Sequence, residues 1–165
     1  MPYEIERRFL VTDDSWRKLA ERSVTIMQGY FTKAPDYCVR IRIMDEKDAF
    51  LTIKSNKKRT PARAEFEYPV PLAHAREMLM VFCVPRVLMK RRHYITAADG
   101  HQWEVDEFLG RHKGLVIAEV ELKAPDEAVA FPDWIDSEIT DDPNYSNQRL
   151  AAMPPPVPDK PAEEK

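Results

Sequence analysis

The sequence is poor in cysteine and glycine and lacks several common catalytic motifs. Of its 165 residues, two are cysteine and four are glycine. Cys38 and Cys83 stand far apart and outside any CxxC or Cys/His pattern, which argues against a zinc site or a disulfide framework and predicts two buried thiols. The sequence also lacks the motifs GxxxxGK[ST], GxSxG and HExxH, which argues against a P-loop nucleotide site and against the familiar catalytic nucleophiles.

A long apolar run is missing as well. No window approaches the apolar length that spans a bilayer, and the opening MPYEIERRFLV carries charge from its fourth position. We therefore expect a cytoplasmic protein without a membrane partner. The net charge of −3 disfavours general attraction to nucleic acid. Any site for a polyanion must then be local.

The composition predicts one soluble globular domain and a short tail. Hydrophobic residues make up 44% and charged residues 32% of the chain, and the length allows most of a core to be buried. Beyond Met153 the chain reads PPPVPDKPAEEK, which buries too little apolar surface to offset its ordering entropy. We predict a domain over 1–153 and a disordered proline-rich tail over 154–165.

Strand-like runs dominate the domain and are separated by turn formers. They alternate apolar and polar residues and are rich in β-branched and aromatic side chains. The eight runs are 3–11, 24–32, 36–44, 49–54, 63–70, 87–96, 101–108 and 115–122. Helical patterns are fewer and lie after residues 13–15, over 72–82 and over 145–152. The pattern predicts an antiparallel barrel or sandwich.

Charged residues recur two positions apart in these runs, so they share one face of each strand. The charged sets are Glu4, Glu6 and Arg8; Arg40 and Arg42; Arg63, Glu65 and Glu67; Lys90 and Arg92; Glu104 and Asp106; Glu119 and Glu121, and Thr52 and Lys54 add a polar pair. A solvated outer face explains any single pair. Like charges side by side on many strands are unfavourable, however, and indicate that something neutralises each set.

The residues between the charges indicate which face is inside. Apolar side chains such as Ile41, Phe66 and Val105 provide the surface on which helices need to pack. The charges then line an interior that must hold water, ions and a polyanion, because unpaired buried charges are costly. Carboxylates are ligands for Mg²⁺ or Mn²⁺, and Arg and Lys donate to phosphate oxygens.

These motifs, taken in order, resemble the CYTH-domain proteins, the triphosphate tunnel metalloenzymes. EIERRFLV at 4–11 is similar to the ExExK signature of that family. Further matches are QGY at 28–30, VRIR at 39–42, LTIK at 51–54, RAEFEY at 63–68, KRRHY at 90–94, WEVDEF at 103–108, AEVEL at 118–122 and YSNQRLA at 145–151. The resemblance spans residues 3 to 151. It implies an α+β fold, an eight-stranded antiparallel β-barrel open at both ends with a few helices packed outside.

The resemblance also implies roles for individual residues. Divalent metal ions are expected at Glu4, Glu6, Glu119 and Glu121, with Asp106 as an additional acidic contributor. Phosphate contacts are expected at Arg8, Arg40, Arg42, Lys54, Arg63, Lys90 and Arg92. The roles of Glu65 and Glu67 stay open, since these residues either bind a second metal ion or only orient the basic residues.

Arg8 departs from the family pattern. Relatives carry a Lys there, which is implied to act with the Tyr matching Tyr30 in activating the attacking water. Arg keeps its proton in proteins, so Arg8 can bind phosphate but cannot be a general base. Either metal activation of the water suffices, or this member is slower or prefers another substrate.

The expected function is metal-dependent hydrolysis of inorganic tripolyphosphate to pyrophosphate and phosphate. Hydrolysis of a nucleoside or thiamine triphosphate and class IV adenylyl cyclase activity remain open, since these enzymes share the tunnel. A non-catalytic polyphosphate or nucleotide binder is the alternative of a different class. The choice between Mg²⁺ and Mn²⁺ and the oligomeric state also stay open.

Overall fold

The computed structural model describes residues 3–32, 34–55 and 63–152. Its strands are β1 Tyr3–Glu4, β2 Glu6–Val11, β3 Arg22–Tyr30, β4 Tyr37–Met44, β5 Asp48–Ser55, β6 Arg63–Pro69, β7 Val87–Thr96, β8 Gln102–Phe108, β9 Val116–Glu121 and β10 Ile135–Glu138. Its α-helices are α1 Leu72–Met78 and α2 Asn147–Ala152, and a π-helical turn, Leu79–Cys83, continues α1. Short 3-10 helices cover Ser15–Leu19, Gly110–His112 and Pro143–Tyr145. The predicted tail, residues 154–165, lies outside the described residues.

All ten strands pair antiparallel in one sheet, in the order β1-β6-β5-β4-β3-β7-β8-β9-β2-β10. This confirms an antiparallel α+β fold with few helices. The expected closed barrel of eight strands is not found, because within the described residues the sheet has free ends at β1 and β10.

The reason for the open sheet lies in its first and last strands. The run predicted as one strand over 3–11 is divided at Ile5, so that β1 pairs with β6 while β2 pairs with β9. The unpredicted β10 occupies the second edge of β2. Because β10 takes this edge, β6 cannot pair with β2 and close the sheet. The N-terminal segment still pairs with both ends of the strand order, through β1 on β6 and β2 on β9.

The strand register brings the predicted charged positions to neighbouring places on one face. Arg8 pairs with Glu119, which in turn pairs with Glu104. On the next strand along, Arg92 pairs with Asp106. Residues directly opposite each other in antiparallel strands point to the same side. The charges of separate motifs thus come together although they are far apart in sequence.

The opposite face is apolar and carries the first 3-10 helix and α1 with its π-helical turn. Trp16, in the first 3-10 helix, is fully buried in a cluster with Phe9 and Trp103. α1 and its π-helical extension pack Ala75 and Leu79 against β4. α2 differs from the other helices, because Leu150 packs with Phe108 and Ile117, which pair with Lys90 and Asp106 and so lie on the charged face. The expectation that the helices pack outside therefore holds for α1 and the first 3-10 helix, whereas α2 covers part of the interior.

One glycine permits the close approach of the π-helical turn to β3. A Cβ at Gly29 would lie 2.6 Å from Cys83 Cβ and 2.7 Å from Leu79 Cδ2, which is closer than real Cβ contacts. Only a residue without a side chain fits there unless the helix moves. Cys83 and Cys38 form no disulfide bond and both thiols are buried, as predicted.

No helix in the part of the chain that the structure describes is long and apolar enough to cross a membrane.

Candidate functional site

The charged face of the sheet lines a cavity of about 700 Å³. This volume falls within the roughly 300–1,000 Å³ of small-molecule sites. Its described lining includes the carboxylates Glu4, Glu6, Glu65, Glu67, Glu104, Glu119 and Glu121 and the cations Arg40, Arg42, Lys54 and Arg92. A cavity with this lining suits a small, highly charged ligand rather than an apolar one.

Three carboxylates are crowded together at one part of the cavity. Ligand oxygens of Glu4, Glu6 and Glu119 all lie within 4.8 Å of one another. Burial, and next the charge of Glu6, raises the pKa of Glu119 to about 7. Burial also raises the pKa of Glu4 and of Glu121, which lines the same cavity. A hard divalent cation would relieve this crowding, and carboxylate oxygens are the ligands it prefers.

Lys54 connects this acidic cluster to the basic part of the cavity. Its Nζ donates to Glu4 and lies 4.0 Å from a Glu6 oxygen. Burial lowers the pKa of Lys54, but the charges of Glu6 and Glu4 outweigh burial and raise that pKa above its usual value. The ammonium therefore neutralises part of the acidic cluster.

Arg40 and Arg42 of β4 carry donors that protein groups do not fully use. Arg40 donates to Thr52 Oγ1 at 3.2 Å and lies 3.7 Å from both Glu65 and Glu67, yet its buried Nε has no hydrogen-bond partner among the described residues. Arg42 donates to Gln28 Oε1 at 3.0 Å, and no carboxylate among the described residues pairs with it. Burial, followed by Arg40 and Arg92, lowers the pKa of Arg42 to about 10. An anion in the cavity would satisfy both side chains.

Arg92 is held rigidly by a buried network. Asp106 Oδ1 accepts from Arg92 Nε at 2.8 Å, and Asp106 Oδ2 accepts from Arg92 Nη2 at 3.0 Å and from Lys90 Nζ at 2.6 Å. A carboxylate oxygen of Glu104 lies 2.8 Å from Arg92 Nη1. Burial opposes ionisation of Asp106, but Arg92 and Lys90 lower the pKa of Asp106 well below its usual range. Burial lowers the pKa of Lys90.

Asp106 and Lys90 are not among the residues that line the cavity. Both oxygens of Asp106 are already taken by cations, and Lys90 is fully buried behind Arg92. The metal role expected for Asp106 and the phosphate contact expected for Lys90 therefore gain no support from these contacts and stay predictions. In the structure both residues orient groups that do reach the cavity.

Arg8 and Tyr30 are not brought together by any hydrogen bond among the described residues. Arg8 donates to the Tyr145 carbonyl at 2.8 Å, and its Nε lies 3.5 Å from Glu119 Oε2. The Tyr30 hydroxyl accepts from Gln28 Nε2 at 2.9 Å. Burial raises the pKa of Tyr30, which disfavours its phenolate. A joint catalytic role for the pair stays a prediction.

Comparison with known proteins identifies the family. A family model described as the CYTH domain matches residues 2–148. The chain belongs to the CYTH domain family. It is similar to an inorganic triphosphatase of Acetivibrio thermocellus, 43% identical over 156 residues that make up 93% of this chain and 96% of the relative. An inorganic triphosphatase of Nitrosomonas europaea is 34% identical over 151 residues, 90% of this chain and 96% of the relative.

A solved structure extends the similarity to three dimensions. The crystal structure of an inorganic triphosphatase is 32% identical, with a TM-score of 0.68, and the match covers 94% of this chain and 99% of that chain. The residues that line the cavity described above all lie within residues 2–148, the part of the chain that the CYTH family model matches. Membership confirms the resemblance that the ordered motifs indicate.

Several residues of this CYTH domain line the cavity without having been predicted as site residues. They are Glu104, Gln102, Asn147, Phe66 and Tyr68. Glu104 carries the same signal as its neighbours, a carboxylate two positions from Asp106. Asn147 is uncharged and begins a helix, so no charge pattern indicates it. Arg63 begins β6 in register with Glu4, and its predicted phosphate contact falls outside the described side chains.

Proposed function

We propose that this CYTH domain protein hydrolyses inorganic tripolyphosphate to pyrophosphate and phosphate. The observation that carries the proposal is one cavity in which crowded carboxylates face arginines without full protein partners. Two relatives that match at least nine tenths of this chain are named inorganic triphosphatases. A linear triphosphate carries the dense negative charge and the many acceptor oxygens that such a cavity needs.

We further propose that Glu4, Glu6 and Glu119 hold a divalent cation, Mg²⁺ or Mn²⁺, with Glu121 close by. Their clustered oxygens and the raised pKa of Glu119 support this assignment, because a bound cation removes the repulsion between the carboxylates. When bound, the cation supplies positive charge to phosphate oxygens and favours ionisation of water. Glu65 and Glu67 lie beside Arg40 and are proposed to orient it.

The cations of the cavity bind and orient the chain of phosphates. Arg42 donates to Gln28 and has no carboxylate partner in the described structure, and Asp106 holds Arg92 in one orientation. Both side chains are therefore held in place and offer hydrogen-bond donors to the phosphates. The unpartnered Nε of Arg40 adds a third donor. Catalysis of phosphoryl transfer consists largely of such positioning and charge stabilisation, with the attacking and leaving oxygens in line.

Enclosure of the substrate is proposed to depend on the N-terminal segment. β1 lies on β6 and β2 lies on β9, so the segment borders the cavity from both halves of the sheet. Glu4 and Glu6 sit on the two sides of the division at Ile5. This arrangement is our basis for a tunnel-like site even though the sheet is not closed. The cytoplasm is the proposed location.

A non-catalytic binder of polyphosphate is the second candidate, favoured by Arg8. Its guanidinium is engaged with the Tyr145 carbonyl and lies near Glu119, and an arginine cannot act as the base that a Lys at this position would supply. Binding without turnover would leave the substrate intact. Product analysis separates the two candidates.

The test uses metal-stripped full-length protein with tripolyphosphate, ATP or thiamine triphosphate. Phosphate, pyrophosphate and cyclic AMP are measured with Mg²⁺, with Mn²⁺ and with chelator. We expect phosphate and pyrophosphate from tripolyphosphate only when a cation is added. Glu119→Gln should abolish turnover, whereas Glu77→Gln on the exposed face of α1 should not. Binding without product would favour the binder, and cyclic AMP from ATP would favour a cyclase.

A further inference from the structure

Asn147 brings an uncharged side chain into the cavity. Among the described residues of α2, only this first residue lines the cavity, together with the charged groups of the sheet. Leu150 and Ala151 lie three and four residues further on, on the same face of α2, and both are buried with Phe108, which pairs with Lys90. The helix therefore presents the Asn147 amide to the interior.

A buried lysine determines how the amide is oriented. Lys90 Nζ donates to Asn147 Oδ1 at 3.0 Å and to Asp106 Oδ2 at 2.6 Å, and the Lys90 side chain is fully buried. An ammonium group has donors and no acceptor, so the amide atom that faces it must be the oxygen. The amide NH₂ group then points away from Lys90.

The NH₂ group of Asn147 has no hydrogen-bond partner within the described structure, and it is not sealed from solvent. Arg92 lines the same cavity and is fixed by the same Asp106 that holds Lys90. The network therefore orients two donors at once, one charged and one neutral. A further cation at this place would be repelled by Lys90 and Arg92, whereas an amide adds a donor without adding charge.

We propose that Asn147 binds the substrate, donating a hydrogen bond from its Nδ2 amide to a phosphate oxygen of the triphosphate that Arg92 contacts. The inference rests on the proposed function and extends it to a residue outside the charged pattern. Lys90 acts through Asn147 and Arg92 and is a positioning residue.

The test compares Asn147→Asp and Asn147→Ala with the wild type. Asp keeps an oxygen for Lys90 but replaces the donor with a negative charge, and Ala removes both groups. We expect the KM for tripolyphosphate to rise roughly tenfold to hundredfold in both variants, as for loss of a hydrogen bond to a charged group. The melting temperature should be maintained in Asn147→Asp, because its contact with Lys90 becomes an ion pair.

Asn144→Asp is the matched control. Asn144 is exposed in the 3-10 helix Pro143–Tyr145, so the same amide-to-carboxylate change adds charge near α2 without entering the cavity. Its KM should equal that of the wild type. Binding of tripolyphosphate with chelator present, measured by calorimetry, should weaken in the two Asn147 variants alone.

Three results would overturn the inference. A wild-type KM in Asn147→Asp would mean that the residue only supports Lys90. An equal rise in KM for Asn144→Asp would mean that added charge, and not the lost donor, weakens binding. A wild type that neither binds nor hydrolyses tripolyphosphate would overturn the proposed function together with this inference. The first two results, obtained with an active wild type, would overturn this inference alone.

Discussion

Asp106 differs from the carboxylates that line the cavity, because both of its oxygens accept hydrogen bonds from buried cations. Asp106→Asn leaves Arg92 and Lys90 buried without their anion. We expect the free energy of unfolding to fall by about 3–5 kcal/mol, the range for breaking a buried ion pair, as measured by urea denaturation. Glu104→Gln removes the other anionic partner of Arg92. Because the Glu104 side chain is 30% exposed, the free energy of unfolding should fall by only about 1 kcal/mol or less.

The metal role that the family resemblance implies for Asp106 makes a different prediction. A ligand would be needed for Mn²⁺ binding, so Asp106→Asn would then weaken Mn²⁺ binding as strongly as Glu119→Gln does. Calorimetric titration of both variants below their melting temperatures distinguishes the two roles. We expect the affinity for Mn²⁺ to be retained in Asp106→Asn.

Arg8 offers a test of how the attacking water is activated. If activation depends chiefly on the metal ion, Arg8→Lys should change kcat little, because both side chains are cations that can hold a phosphate oxygen. A Lys that acts with Tyr30 should instead raise kcat by about tenfold or more, the low end expected of a positioned proton-transfer group. We expect the first outcome, since no described hydrogen bond links position 8 to Tyr30.

Steady-state kinetics of Arg8→Lys with and without Tyr30→Phe decide between these outcomes. A large gain in kcat that disappears in the double variant would contradict our expectation. It would also mark the natural protein as a slow hydrolase or a binder.

The turn between β7 and β8 is connected to the segment before β10 by a histidine held between two carboxylates. Asp99 Oδ2 lies 2.7 Å from His101 Nδ1, and Glu127 Oε1 lies 2.8 Å from His101 Nε2. Asp99 also accepts from the Ala130 amide at 2.9 Å. The hydrogen bond to Asp99, followed by that to Glu127, raises the pKa of His101.

This arrangement predicts a pH-dependent contribution to stability. Because the folded pKa of His101 lies above its ordinary 6.5, the contribution is complete below pH 6.5 and is lost as the pH rises through the folded value. Hydrogen bonds from the Lys123 amide and His101 lower the pKa of Glu127 below its ordinary 4.5. The contribution of Glu127 to stability is therefore complete above pH 4.5 and is lost in acid. His101→Gln should therefore lower the melting temperature most between pH 4.5 and 6.5.

Thermal melts across pH provide the measurement, with His74→Gln on the exposed face of α1 as control. The difference between wild type and His101→Gln should shrink towards pH 9, while the control should show no such trend. A difference that does not vary with pH would mean that only the shape of the His101 ring matters.

The whole chain combines a folded domain with a tail whose composition predicts disorder. Removal of residues 154–165 should leave turnover and melting temperature nearly unchanged, because this sequence has little apolar surface to bury. Activity assays and calorimetric melts of the truncated and full-length proteins make the comparison. A drop of several degrees would indicate that the tail docks on the domain.

Much of the fold was predictable because alternation is a local property of the sequence. The eight predicted runs correspond to strands β1 to β9, and the helical patterns correspond to the first 3-10 helix, α1 with its π-helical turn, and α2. β10 was missed, since Ile135–Glu138 is short, carries little alternation and pairs irregularly with β2. The division at Ile5 was missed for a related reason, because it depends on which strands compete for each edge.

Residue types and their spacing are enough to predict the order of most strands along the chain, the face on which the charges lie, and a chemistry of carboxylates and cations suited to a triphosphate. Which charge meets which depends on the tertiary structure, in which no described carboxylate pairs with Arg42 and both oxygens of Asp106 accept from cations. It also brought Asn147 into the cavity beside Lys90. These outcomes depend on register and burial between segments far apart in the chain, and the period of a single strand carries no information about either.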